Sequence, residues 1–200
     1  PAENPEQRPQ EILQETIEKI LDKIEESHRP VLSPGNGVRL AGAIEEFHEL
    51  VDVLGVPVVT GMSSVDALES DHPYFVGRSG GTGTRPGNFA LQNSDVLLSI
   101  GNRQGFAQTG FQYQDWARES YTILNDIDEN ELKKPNLHVS LPVVGDAGEL
   151  IRGLLAEAKK RGADKEYPLF KGEDWRKQCL LWKKKYPIVT EKHYETLEEG

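Results

Sequence analysis

Short apolar runs that end in glycine, asparagine or aspartate recur along most of this chain, and segments with helical spacing separate them. This alternation constrains the fold more than any other feature. The runs are Pro30-Val31-Leu32 before Gly35-Asn36-Gly37, Val56-Pro57-Val58-Val59-Thr60 before Gly61, residues 95–100 before Gly101, residues 121–127, and His138-Val139-Ser140-Leu141. Adjacent apolar residues, rather than alternating ones, suit strands covered on both faces, as in a parallel sheet. Between them the spacing predicts helices over residues 41–54, with Ile44, Phe47, Leu50, Val51 and Leu54 on one face, and over 147–160, capped by Asp146. Residues 86–93 and 115–119 read as shorter helical or turn segments. Strand and helix in regular turn imply an α/β fold. It is a doubly wound, mostly parallel Rossmann-like sheet of about six strands, with helices on both faces and a ligand crevice beyond the carboxyl ends of the strands.

A further helix precedes the first strand, running from residue 10 to near Ser27 with Leu13, Ile17, Ile20 and Ile24 inward, and stops because Arg29 precedes Pro30. Residues 1–10 carry three prolines and almost nothing apolar, the composition of a linker. The only methionine is Met62, so the chain reads as a piece excised from a longer one. The organisation expected is a linker over 1–10, a nucleotide-binding-like domain over 11–161, and a C-terminal helix with an exit linker over 162–200.

Charge and cysteine content narrow the setting. Lys and Arg total 23 against 33 Asp and Glu, a net charge of −10 that argues against nucleic acid as a partner. No apolar run approaches the roughly 18–20 residues of a membrane-spanning helix. A lone Cys179 and no secretory pattern at the N-terminus point to a reducing, cytoplasmic setting.

Candidate ligand contacts sit at the strand ends. Gly35 and Gly37, Thr60, Arg103, Asp126 and Asp128 all fall where a crevice would lie, and glycine there lets backbone approach a phosphate while an acidic residue accepts ribose hydroxyls. The same residue types also serve simply to turn the chain. Val38 and Arg39 after Gly37 leave the G-x-G-x-x-G dinucleotide pattern incomplete. Residues 77–88 hold Arg78 and Arg85 among glycines, which suits an anion held by amides and guanidinium groups, but no Walker lysine follows and a P-loop is excluded. Serines without a G-x-S-x-G elbow give no support to hydrolase chemistry, and five scattered histidines give no metal-ligand spacing. Cys179 reads as a packed thiol, Trp175 and Trp182 as one buried helical stripe, and Lys183 to Lys185 as a solvated helix end.

From Arg29 to about Ala158 the chain resembles the central domain of thiamine-diphosphate-dependent enzymes of the acetolactate synthase type. The resemblance rests on RPVLSPGNG, GVPVVTGM, DHPYFVGRSGGTGTRPGNFAL, SDVLLSIGNRQGFAQTG, NDIDENELKK and LPVVGDAGEL, in that order. It implies a parent enzyme that acts on 2-oxo acids as a lyase or transferase, with thiamine diphosphate and magnesium bound by flanking pyrimidine- and diphosphate-binding domains. It further implies a largely structural FAD, or ADP, in this domain, homo-oligomers of the intact enzyme, and no activity in the isolated piece. The family's methionine-histidine pair is Gly81-Thr82 here, and the acidic residues usual after Arg103 are missing. The Gly145-Asp146-Ala147-Gly148 tetrad looks like a magnesium motif but stands where helix capping is its ordinary role. Two other readings stay open: a stand-alone flavin- or nucleotide-binding module like those of electron-transfer flavoproteins, and a remnant that binds nothing and serves as a subunit contact.

Overall fold

The computed structural model describes residues 11–190 and 193. The 1–10 linker and most of the end of the exit linker lie outside the described residues. A helix α1 (Gln14–Glu26) leads into six strands, β1 (Pro30–Pro34), β2 (Val58–Thr60), β3 (Phe75–Arg78), β4 (Val96–Ile100), β5 (Tyr121–Asp126) and β6 (Leu141–Val144). Every pairing is parallel and the spatial order is β3-β2-β1-β4-β5-β6, the doubly wound arrangement whose direction reverses between β1 and β4. The helices between strands are α2 (Gly37–Leu40), α3 (Ile44–Leu54), α4 (Arg85–Gln92), α5 (Phe106–Thr109) and α6 (Glu129–Leu132), and α7 (Ala147–Lys160) and α8 (Glu173–Lys185) follow β6. No described helix is long and apolar enough to cross a membrane.

Burial explains the strands. All five residues of β1 and of β4 are buried, because α1, α3 and α7 pack together over the sheet while α4 and α8 pack against each other. Leu32, Leu97, Ile100 and Ile123 thus face helices whichever way they point, which is what their continuous apolar runs require. Asp95 fastens the start of the central pair, its carboxylate accepting the His28 and Arg29 N–H groups at 2.8 Å each.

Several boundaries differ from the sequence expectation, each for a local reason. In α1 the buried face is Ile17, Ile20, Leu21 and Ile24, whereas Leu13 stands at the N-cap, 60% exposed, and Ile12 takes the inward position ahead of it. The helix expected over 41–54 begins only at Ile44, because residues 41–43 form the turn that follows α2, and it closes on Gly55 in the left-handed conformation (φ 65°). The last strand is Leu141–Val144 rather than 138–141. Thr122 holds the earlier residues outside the ladder, its hydroxyl donating to the His138 carbonyl (2.6 Å) and its own carbonyl accepting from Ser140 N–H (2.9 Å). Pro142 is tolerated in β6 because that strand lies at the sheet edge. The strand-by-strand reading assigns nothing to β3, a short edge strand containing Gly77, although a sheet of about six strands needs it. Helix α8 joins the same body, since the buried Trp175 donates its indole N–H to the Pro30 carbonyl at 3.0 Å and packs edge-on against Trp182.

Candidate nucleotide crevice at the β1–β4 switch point

The loops after β1 and β4 meet at closer than ordinary van der Waals distance. A Cβ on Gly35 would lie 2.1 Å from the Gly101 carbonyl oxygen, and one on Gly37 would lie 2.7 Å from the Gly101 Cα. Gly101 itself has φ +57°, where only glycine is unstrained. Gly35 N–H donates to the Ile100 carbonyl (2.8 Å), Gly37 N–H to the Gly101 carbonyl (3.0 Å) and Gly101 N–H to the Asn125 carbonyl (3.1 Å). These glycines therefore bring three strand ends together, and their N–H groups are already engaged by the protein itself.

Two hollows open on either side of this junction. One, of about 310 Å³, is lined by Gly37, Leu40, Ala41, Gly101, Arg103, the segment 125–127 and the turn 145–147. The other, of about 230 Å³, is lined by Asn36, Met62, Ser63, residues 101–103, Gly105, Ala107 and Gln108. Gly101 and Arg103 belong to both, so a ligand longer than a mononucleotide would cross from one to the other past the Arg103 side chain.

Of the residues singled out from sequence, Gly37, Arg103 and Asp126 share the larger hollow. Gly35 lies beneath it, packed on Asn102. Thr60 lines neither hollow; it is wholly buried at the end of β2 and its hydroxyl has no hydrogen-bond partner. Asp128 caps α6, accepting the Asn130 N–H at 2.9 Å. Asp126 faces the larger hollow from the end of β5, and Asp146 lines it from the turn before α7. Burial pushes its carboxyl above the usual carboxylate range, the Asp128 N–H donated to Oδ1 (3.0 Å) opposes this, and the nearby Glu131 and Asp128 charges add to the rise.

The pairing of Arg103 was not legible in the sequence. Its guanidinium donates to Glu131 Oε1 from Nε (2.8 Å), with the second nitrogen at 2.6 Å, and holds the Glu131 carboxyl below its ordinary value. Lys134 pairs with the same carboxylate and also donates to the Arg103 carbonyl (3.1 Å). The ion pair is worth little energy because Arg103 is 76% exposed. It fixes where the guanidinium stands, at the wall between the hollows.

Sequence reasoning missed Asn125 and Gln108. Asn125 is buried and bridges strands, its Nδ2 donating to the Val143 (3.1 Å) and Gly145 (3.0 Å) carbonyls. Its signal was a polar residue inside an otherwise apolar strand. Gln104, beside the smaller hollow, has φ 50° and donates to Ser99 Oγ at 2.8 Å, leaving its own Oε1 unpartnered; Gln108 Nε2 is likewise unpartnered. A non-glycine residue in that conformation stores strain of about 1–3 kcal/mol and commonly marks a functional loop. Asp146 caps α7, its Oδ1 accepting the Gly148 (2.9 Å) and Glu149 (3.0 Å) N–H groups. Among the described residues no group of three His, Cys, Asp or Glu side chains could hold a metal ion.

Residues 17–154 match the family model for the central domain of thiamine pyrophosphate enzymes. The chain is 37% identical over 134 residues to a probable acetolactate synthase large subunit from Methanococcus aeolicus, a stretch covering 67% of this chain and 22% of that one. It is 39% identical over 133 residues to the corresponding protein of Methanocaldococcus jannaschii, 66% of this chain and 22% of that one. An acetolactate synthase large subunit from Porphyra purpurea aligns over 169 residues at 30% identity, 84% of this chain and 28% of its own. The chain thus spans well under a third of the length of these relatives.

Proposed function

Because the chain belongs to the thiamine pyrophosphate enzyme central-domain family, we propose that it is the nucleotide-holding middle domain of an acetolactate-synthase-like enzyme acting on 2-oxo acids. The observation that carries this reading is the Asp126 carboxylate facing a hollow of about 310 Å³ at the switch point of a doubly wound sheet, opposite the glycine junction. In that geometry a carboxylate at a strand end accepts ribose hydroxyls.

The residues present fit the ADP moiety of FAD, or ADP itself. Asp126 has one carboxylate oxygen engaged by the Asp128 N–H and offers the other as acceptor. Gly37 and Gly101, with no side chains, keep the floor of the hollow low. Arg103 supplies charge for phosphate at the wall between the hollows, exchanging part of its contact with Glu131. The remainder of a dinucleotide would extend toward Asn102, Met62 and the free amide end of Gln108.

Thiamine diphosphate with magnesium, bound by flanking domains of the same polypeptide in a homo-oligomeric enzyme, supplies the chemistry on the 2-oxo acid. The residues of this domain bind and orient; none carries a proton to or from substrate. Calorimetric titration of the 200-residue chain with ADP and with FAD tests the reading. Saturable binding of either, weakened about tenfold by Asp126→Asn, is expected, since a charged hydrogen bond is worth about 1.5–3 kcal/mol. No binding of either nucleotide overturns the ligand assignment. Pyruvate turnover by the chain alone, with thiamine diphosphate and magnesium, overturns its placement as a noncatalytic domain.

A further inference from the structure

A second recess lies at the β3 edge of the sheet and shares no lining residue with the switch-point hollows. Its inner chamber, about 300 Å³, is walled by Phe75, Val76, Pro86, Ile188 and Val189, with the stem of Lys183 alongside. The Lys183 ammonium is turned to the chain itself, donating to the Ser70 (2.7 Å) and Phe75 (2.8 Å) carbonyls, so the chamber presents an apolar surface. Thr84, Tyr186, Pro187 and Ile188 continue from this chamber into a wider mouth of about 530 Å³.

The mouth is cationic. Arg78, Arg85 and Lys185 line it, and among the described residues none of the three has a carboxylate partner. Elsewhere in this chain of net charge −10, Arg39, Arg103, Arg152, Lys159, Arg161 and Lys165 pair with acids, and Arg29, Arg176 and Lys183 donate to backbone carbonyls. Arg85 and Lys185 rest instead on the Tyr186 ring, 5.5 and 5.4 Å from its centroid. The first turn of α4, capped by Thr84, opens at the same place and adds the positive end of its dipole. Three like charges at one mouth repel one another, and an anion there relieves the repulsion.

We propose that this recess binds an amphiphilic anion, a phosphate monoester whose head is held by Arg78, Arg85 and Lys185 and whose apolar tail enters the chamber against Phe75, Val76 and Ile188. Two guanidinium forks and one ammonium match the charge and bidentate geometry of a phosphate dianion better than those of a carboxylate. The continuity of mouth and chamber gives the tail its place.

Calorimetric titration of the 200-residue chain with hexyl phosphate, inorganic phosphate and hexanol reads the proposal directly. Hexyl phosphate binds saturably, at least roughly tenfold tighter than inorganic phosphate because several methylenes leave water. Arg78→Gln and Lys185→Gln each weaken it by about tenfold, the loss of one charge-assisted contact, and Arg85→Gln does so if its thermal midpoint matches the parent chain. Asp126→Asn and added ADP leave hexyl phosphate binding unchanged. The proposal is overturned if no saturable binding occurs, if the Arg78→Gln/Lys185→Gln double variant binds as well as the parent, or if hexanol binds as tightly as hexyl phosphate. Displacement by ADP would move the anion to the switch-point crevice and likewise overturn it. So would a glutamate-rich peptide that binds where hexyl phosphate does not, since the mouth would then be a protein-docking surface.

Discussion

Replacing Gly35 with alanine should be among the most destabilising single-methyl changes available in this domain. The added Cβ falls 2.1 Å from the Gly101 carbonyl oxygen and 2.4 Å from the Asn102 Cα. Nonbonded carbons rest at about 3.5–4.0 Å, so the two loops must separate by more than about 1 Å. Both obstacles are backbone, and no rotamer change can relieve them. Separation strains the Gly35–Ile100 (2.8 Å) and Gly37–Gly101 (3.0 Å) hydrogen bonds that tie the central strands at the switch point. Losing those two costs about 2 kcal/mol together, and overpacking adds about 1–3 kcal/mol. The expected destabilisation is therefore about 3–5 kcal/mol, a fall in thermal midpoint of roughly 6–20 °C for a domain of this size. The matched control is Gly105→Ala, where a Cβ meets nothing within 4 Å and φ is −73°. That variant should stay within about 0.5 kcal/mol of the parent. Urea and thermal unfolding of both variants, followed by circular dichroism, measure the difference. Equal midpoints for Gly35→Ala and Gly105→Ala would refute the reasoning, because they would mean that the junction yields without cost.

Other consequences follow from burial and charge. The raised Asp126 carboxyl means that the folded state holds its proton to higher pH than the unfolded state does, so this group's effect on stability falls as pH rises from the unfolded to the folded pKa. Asp126→Asn should accordingly raise the thermal midpoint at neutral pH, with the gain shrinking as pH falls through the folded value; a gain that grows on acidification would contradict this. The Cys179 thiol, 1% exposed and pushed up to about 12 by burial, should resist a thiol-specific disulfide reagent at pH 8 in the native protein and react fully in urea. Trp175→Phe removes the indole bond to the Pro30 carbonyl and should cost about 1–3 kcal/mol by urea denaturation, the price of a buried acceptor left unpaired. A variant as stable as the parent would show that α8 contributes little to the body it packs on.

The local reading was sound wherever one residue type had one physical reason to be where it is. Continuous apolar runs at β1, β4 and β5 demanded strands covered on both faces, and Asp146 before residues 147–160 demanded a capped helix, because burial and capping are set by neighbours along the chain. Pairing was a different matter. Whether Leu32 lies beside Val58 or Leu98, and that it lies beside both, depends on crossovers that no local pattern encodes. β3 escaped because an edge strand of four residues with a glycine buries too little to announce itself.

Composition and periodicity respond to burial and backbone freedom at each position, and they already dictate an α/β chain with glycine, asparagine and aspartate at its strand ends. What those residues do follows from the folded arrangement. It turned Gly35 and Gly101 into a junction between loops 66 residues apart in the chain, the difference between their positions. It made Asp128 a helix cap and left Asp126 facing the crevice, though both stand in the same short motif. It gave Arg103 a carboxylate partner and, among the described residues, left Arg78, Arg85 and Lys185 with none at one mouth. Charge pairing and close approach depend on distances through space, and those distances exist only once the sheet has wound.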